Sequence, residues 1–111
     1  MALDRVQRII FKTNPNRNPK KFPDTFTVFD PSAASYLKRL GVILIGTDAP
    51  SVDPEQSKSL KAHHAFHDND IYILENLLLN KVQPGDYELI ALPLKIVGAD
   101  GSPVRAVIRP I

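Results

Sequence analysis

The stretch DPSAASYLKRLGVILI, residues 30–45, decides the fold, because a capped helix runs directly into a strand. Asp30 can cap the helix N-terminus, a proline suits the first helical position, and Gly41 stands where a left-handed C-terminal residue is favoured. We therefore predict a helix over residues 31–40. The run 42–45 that follows is uninterrupted and apolar, which is typical of a strand covered on both faces.

The same alternation of strands and helices continues on both sides of this unit. Composition and turn signals predict a strand at 6–13, a helix at 57–67, a strand at 71–74, and a hairpin of strands 87–97 and 104–108. Pro93 predicts an edge or a bulge within the first hairpin strand. The sequence thus predicts an α/β fold with a mixed sheet and two helices, in a single domain over residues 1–111.

Composition restricts the class of protein. The 111 residues are 43% hydrophobic and 23% charged, as in an ordinary globular domain. The apolar runs are strand-sized, far below the about 20 residues of a membrane span, so we predict no membrane partner. Without cysteine there is no disulfide framework and no thiolate metal site. The N-terminus lacks the layout of a secretory signal, and we predict a cytoplasmic protein.

Positive charge is concentrated at the start of the chain. Residues 1–22 carry six bases and one acid, whereas residues 23–111 carry eight bases and eleven acids. Such a segment can bind nucleic acid. Here the bases alternate with apolar residues, and Phe11 and Phe22 are too few aromatics for a stacking platform. We predict an ordinary strand surface and no nucleic-acid partner, and salt-dependent binding of DNA or RNA stays the alternative.

The three histidines fall within five residues, at His63, His64 and His67. On a helix His63 and His67 would project from one face, a spacing that can hold a metal. This pattern is weak, and a polar helical face is the better explanation of it from the residues alone. Glu75 is more informative, because it ends an apolar strand and a partly buried carboxylate needs a partner. That partner is either a structural ion pair or backbone amide, or a metal shared with a nearby histidine.

Five blocks of the chain resemble bacterial kynurenine formamidases, of the metal-dependent cyclase family of amidohydrolases. In order along the chain they are IGTDAPSVDP at 45–54, AHHA at 62–65, ILE at 73–75, PGDYELIALPL at 84–94 and SPVRAV at 102–107. The resemblance implies the C-terminal half of the family's swivelling β/β/α fold. It also implies hydrolysis of N-formyl-L-kynurenine to kynurenine and formate, in tryptophan catabolism, at a Zn²⁺ or Mn²⁺ centre that activates water.

The resemblance also implies which residues form the site. The family's late histidine ligand precedes its glutamate ligand by twelve residues, which selects His63 and Glu75, with Glu75 as a bridging ligand. His64 and His67 then become neighbours that support these ligands. Asp48 and Ser51 are expected on a loop that lines the pocket.

One part of the family pattern is missing from these 111 residues. The motif H-x-G-T-H-x-D-A-P, which carries the family's other metal ligands, does not occur, although residues 46–50 resemble its tail. Family members are about twice as long, so we expect the N-terminal half to be absent and no catalytic site to be complete. We also expect exposed apolar surface, covered by a homo-oligomer or by a separate N-terminal chain. The alternative function is a non-catalytic, truncated fragment that self-associates.

Overall fold

The computed structural model of the protein describes residues 6–111; Asp4 and Arg5 of the basic leading segment lie outside this range. The elements in order are β1 Arg8–Phe11, α1 Ser32–Arg39, β2 Leu44–Thr47, α2 Lys61–Asp68, β3 Tyr72–Leu74, β4 Tyr87–Pro93 and β5 Val104–Pro110. The predicted order of strands and helices and the α/β class are confirmed. No helix of the described residues is long and apolar enough to cross a membrane.

The strands divide into two sheets. β1, β2 and β3 form a parallel sheet in that order, with Ile9 opposite Ile45 and Ile45 opposite Ile73. β4 and β5 form a separate antiparallel pair in which Leu89 lies opposite Ile108. The parallel and antiparallel parts therefore share no strand. We call β1–β3 with α1 and α2 the helix–sheet body, and β4 with β5 the hairpin.

Asp30 and Gly41, which the sequence predicted at the two ends of the helix, do lie on either side of α1. The Asp30 carboxylate accepts hydrogen bonds from the backbone N–H and the hydroxyl of Ser32, at 2.8 and 2.6 Å, so the helix begins at Ser32. Gly41 has φ +87°, in the left-handed region that only glycine enters cheaply. β2 begins two residues later than predicted, because the N–H of Val42 still bonds to the Leu37 carbonyl of α1.

The helix α2 is shorter than predicted and begins at Lys61 rather than at residue 57. Residues before it form turns, in which Ser57 donates its backbone N–H to the Pro54 carbonyl. Leu60 then has φ +49°, a left-handed conformation that a helix cannot contain. This turn determines where His63 lies, in the first turn of α2.

The core lies between the helices and one face of the parallel sheet. Ile45, Val42, Val52 and Phe66 are fully buried there. Phe29 packs edge-on against Phe66, with ring centroids 5.6 Å apart. On the other face of β2 a Cβ at position 46 would lie 3.0 Å from Leu77 and 3.1 Å from Ile10, so a larger residue would require these side chains to shift.

One face of the hairpin is exposed, and the other, which carries Leu89 and Ile108, is half-buried. No side chain of residues 80–111 is buried, although both strands are rich in apolar residues. Leu92 is 74% exposed and Val97 is 97% exposed. β4 ends at Pro93 rather than at residue 97, since Pro93 is the last residue of the strand to pair, with Val104. The exposed apolar surface expected from the sequence is therefore present, and six of the thirteen large exposed apolar side chains of the described residues lie on the hairpin and the loop between its strands.

Candidate functional site

The candidate site lies at the edge of the sheet where β2 and β3 end. Because the strands are parallel, their carboxyl ends meet at one edge, which is where α/β folds build sites. The loop 48–54 follows β2, and Glu75 follows β3 directly. His63 reaches this edge from the first turn of α2.

The structure brings His63 and Glu75 together. Nε2 of His63 lies 3.0 Å from Oε2 of Glu75, and this same oxygen accepts the backbone N–H of Val52 at 2.9 Å. The two side chains are 31% and 28% exposed, so solvent reaches both. The sequence prediction that Glu75 is partly buried at a strand end is confirmed, and its partners are a backbone amide and an imidazole.

A third residue, Asp53, holds the opposite side of the His63 ring. Its Oδ2 lies 2.7 Å from Nδ1 of His63 and also accepts the His63 backbone N–H at 2.9 Å. Its Oδ1 accepts the N–H of Ala62 at 2.8 Å, and its side chain is only 5% exposed. Burial raises the pKa of Asp53, but the hydrogen bonds from His63 and Ala62 outweigh burial and hold this pKa below its ordinary value.

The sequence reasoning did not identify Asp53, which stands between Val52 and a proline and looks like a turn residue. One signal could have found it. α2 begins without a polar side chain at its own N-cap, since Leu60 occupies that position. The first amides of a helix need an acceptor. An acceptor from the preceding loop meets this need, and Asp53 is that residue, since it accepts the N–H groups of Ala62 and His63.

His64 and His67 do not support the pair as expected. Both are exposed, and among residues 6–111 neither makes a hydrogen bond to His63 or Glu75. The reason is geometric: the His63 ring is clamped between Asp53 and Glu75, so no nitrogen faces its helical neighbours. The residue that contacts the second nitrogen of the His63 ring is Asp53, and not His64 or His67.

Asp48 and Ser51 lie on the expected loop. The side chain of each accepts hydrogen bonds from backbone N–H groups of the chain itself. The buried Asp48 carboxylate accepts the backbone N–H groups of Thr13 and Asn14, at 2.9 and 2.8 Å, and the Thr13 hydroxyl at 2.5 Å. Asp48 also lines a cavity of about 400 Å³, beside Arg17. The Ser51 hydroxyl accepts the N–H of Asp53 at 3.0 Å and so fixes the loop.

The donors at His63 and Glu75 fit part of a metal site. An imidazole nitrogen and a carboxylate oxygen suit Zn²⁺ or Mn²⁺. Two ligands of one ion lie roughly 3–3.5 Å apart when each bond is about 2.1 Å, close to the 3.0 Å between Nε2 and Oε2. Within residues 6–111 no group of three or more His, Asp or Glu side chains is placed to hold a metal. Asp53 does not complete the set, because it faces the other ring nitrogen.

The chain is similar to known proteins over about half of their length. A kynurenine formamidase of Bacillus cytotoxicus is 51% identical over 109 residues, which cover 98% of this chain and 52% of the relative. One from Geobacillus thermodenitrificans is 55% identical over 107 residues, 96% of this chain and 51% of the relative. The chain thus spans about half the length of the curated relatives it matches. No model of a known protein family matches it.

The chain also matches about half the length of two solved structures. A potential metal-dependent hydrolase with cyclase activity superposes with a TM-score of 0.77 at 28% identity, over 94% of this chain and 52% of the other. A predicted metal-dependent hydrolase from Bacillus stearothermophilus superposes with a TM-score of 0.75 at 28% identity. The match covers 94% of this chain and 51% of the other. The resemblance identified in the sequence is confirmed, and the fold is that of about half of such a hydrolase.

Proposed function

We propose that this chain contributes the His63–Glu75 half of the active site of a metal-dependent amidohydrolase. The observation that carries the proposal is the 3.0 Å approach of Nε2 to Oε2 at the carboxyl edge of the parallel sheet. The relatives named kynurenine formamidase support N-formyl-L-kynurenine as the substrate, with kynurenine and formate as products.

Each residue of the half-site has a separate task. His63 and Glu75 would hold the ion, and the Val52 N–H fixes the Glu75 oxygen that faces the imidazole. Zn²⁺ or Mn²⁺, when bound, lowers the pKa of a coordinated water and polarises the scissile carbonyl. The partial exposure of both ligands leaves room for a small formamide to approach from solvent.

The remaining ligands would come from outside these 111 residues. A catalytic zinc commonly has three protein ligands and an open position, and this chain offers two. The segment that supplies the others would also cover apolar surface. A groove of about 940 Å³ between β1 and the hairpin, lined in part by Ile10, Leu79, Leu89 and Ile108, is where we propose that it packs. A second copy of the chain is the alternative occupant.

Metal binding is the first test. Zn²⁺ titrated into the purified chain should bind to one site, measured by calorimetry. His63→Ala and Glu75→Gln should each abolish the heat of binding, because each removes one of only two ligands. His67→Ala is the matched control on the same helix and should bind as the parent chain does. If His67→Ala loses binding and His63→Ala retains it, the assignment of the ligands is wrong.

Activity is the second test. We expect no hydrolysis of N-formyl-L-kynurenine by the chain alone with Zn²⁺ or Mn²⁺. Mixing it with the half of the Bacillus cytotoxicus relative that the chain does not match should restore turnover, and Glu75→Gln should remove it again. Turnover by the chain alone would mean that self-association completes the site. No turnover in the mixture, although the two parts bind each other, would favour the non-catalytic fragment.

A further inference from the structure

The structure singles out one residue behind the candidate metal ligands. Asp53 is almost completely buried, and both of its carboxylate oxygens are used. An ionised carboxylate only accepts hydrogen bonds, so the 2.7 Å contact between its Oδ2 and Nδ1 of His63 requires the proton to lie on Nδ1. The opposite ring nitrogen, Nε2, faces Oε2 of Glu75 at 3.0 Å, which is where it would offer its lone pair to an ion shared with that carboxylate.

The carboxylate of Asp53 is itself held rigidly. Two consecutive backbone amides of α2, those of Ala62 and His63, donate to its two oxygens. The Ser51 hydroxyl accepts the Asp53 backbone N–H and fixes the loop from the other side. Because these hydrogen bonds fix the Asp53 carboxylate, the carboxylate determines the angle of the His63 ring.

We propose that Asp53 is the positioning residue of this site, which holds the His63 ring by its Nδ1 so that Nε2 points at Glu75. Its consequence for metal binding rests on the proposed function, whereas the orientation of the ring does not. Histidines that ligate metals usually donate their other N–H to a carboxylate, which orients the ring and raises its basicity. His64 and His67 lack such a partner among the described residues, and this contrast distinguishes His63 from its two neighbours.

The orientation is tested without metal. In the ¹⁵N-histidine-labelled chain, at one fixed pH above the ordinary histidine pKa of about 6.5, a long-range ¹H–¹⁵N correlation spectrum shows which ring nitrogens carry protons. His63→Ala identifies the His63 signals. We expect a protonated Nδ1 in the parent chain. In Asp53→Asn the proton should leave Nδ1, since an amide beside an imidazole selects the other tautomer. A bare Nδ1 in the parent chain would overturn the proposal.

The consequence is tested by Zn²⁺ affinity. Asp53→Asn should weaken binding about 10–100-fold, the usual effect of losing such a partner. Glu55→Gln is the control, because it alters an exposed carboxylate in the segment before α2 that makes no hydrogen bond or ion pair with His63. The control should leave the affinity and the His63 spectrum unchanged. Unchanged affinity in Asp53→Asn, with its fold verified by circular dichroism, would refute the positioning role.

The outcomes separate the two proposals. If the parent chain binds no Zn²⁺ but shows the Nδ1 proton, the proposed metal function fails and the orientation stands. If Asp53→Asn does not fold, the parent spectrum alone still decides where the proton lies. Asp53→Glu gives an additional check, since a returned carboxylate should restore the Nδ1 proton, and failure to restore it in a folded variant would count against the proposal.

Discussion

The helix–sheet body and the hairpin use similar residues in opposite ways. In the body the large apolar side chains such as Ile45 and Phe66 are fully buried, whereas in the hairpin Ile90 and Leu92 are 43% and 74% exposed. Both regions satisfy their backbone hydrogen bonds by strand pairing. Pairing alone does not bury side chains, and an isolated two-stranded hairpin is only marginally stable in water. The body therefore carries most of the buried core of these residues, and the hairpin exposes apolar surface.

The largest effect is expected in the core of the body. Phe66→Ala should lower the free energy of unfolding by about 3–5 kcal/mol, because Phe66 is fully buried and packs edge-on against Phe29. Urea unfolding followed by circular dichroism measures the change. Phe22→Ala is the matched control, at a site 53% exposed, and should cost less than about 1 kcal/mol. Equal losses at the two sites would mean that the core is not where the structure places it.

Removing a carboxylate should lower the free energy of unfolding much more in the body than in the hairpin. Asp48→Ala leaves the backbone N–H groups of Thr13 and Asn14 without an acceptor inside the body, and we expect a loss of about 2–4 kcal/mol. Glu88→Ala breaks only the exposed hairpin pair with Arg109 and should cost less than about 1 kcal/mol. Both are read from the same unfolding curves. A small loss for Asp48→Ala would show that water can replace the carboxylate.

Adding one methyl group to a glycine should reduce stability in the body but not in the hairpin turn. A Cβ at position 46 would lie 3.0 Å from Leu77 and 3.1 Å from Ile10, so Gly46→Ala should cost about 1–3 kcal/mol through overpacking. Gly101→Ala, in the turn between the hairpin strands, meets nothing within 4 Å. We expect it to change stability by less than about 0.5 kcal/mol. If Gly46→Ala is tolerated as well as Gly101→Ala, Leu77 is packed less tightly than the structure indicates.

The smallest effect on stability is expected on the hairpin, at Leu92. Leu92→Ser should change the free energy of unfolding by less than about 0.5 kcal/mol, since the side chain is 74% exposed. The same substitution should weaken self-association of the chain, measured by sedimentation velocity over a range of concentrations, because it removes exposed apolar surface. A loss above about 1 kcal/mol would show that the hairpin packs on the body and would remove the contrast between the two regions.

The sequence by itself determined the elements and their order. Local signals were sufficient there: the Asp30 carboxylate and Gly41 bound α1, apolar runs mark the strands, and the Asp-Gly pair marks the turn between the hairpin strands. The sequence also predicted Glu75 at a strand end and, by resemblance, paired it with His63. The prediction failed where a local pattern is ambiguous, as at the start of α2, where the left-handed Leu60 interrupts a run with helix-forming composition.

Only the tertiary structure decided which side chains meet. Asp48 bonds to Thr13, 35 positions earlier in the chain, because β1 and β2 lie side by side and end at the same edge. Asp53 meets His63 because the turn at Leu60 directs the first amides of α2 back toward the loop. The ends of helices and turns are encoded by neighbours in the sequence, but strand pairing and contacts between distant side chains depend on strand order and helix placement. For that reason the sequence indicated a histidine and a glutamate, and only the fold revealed the aspartate that contacts the histidine.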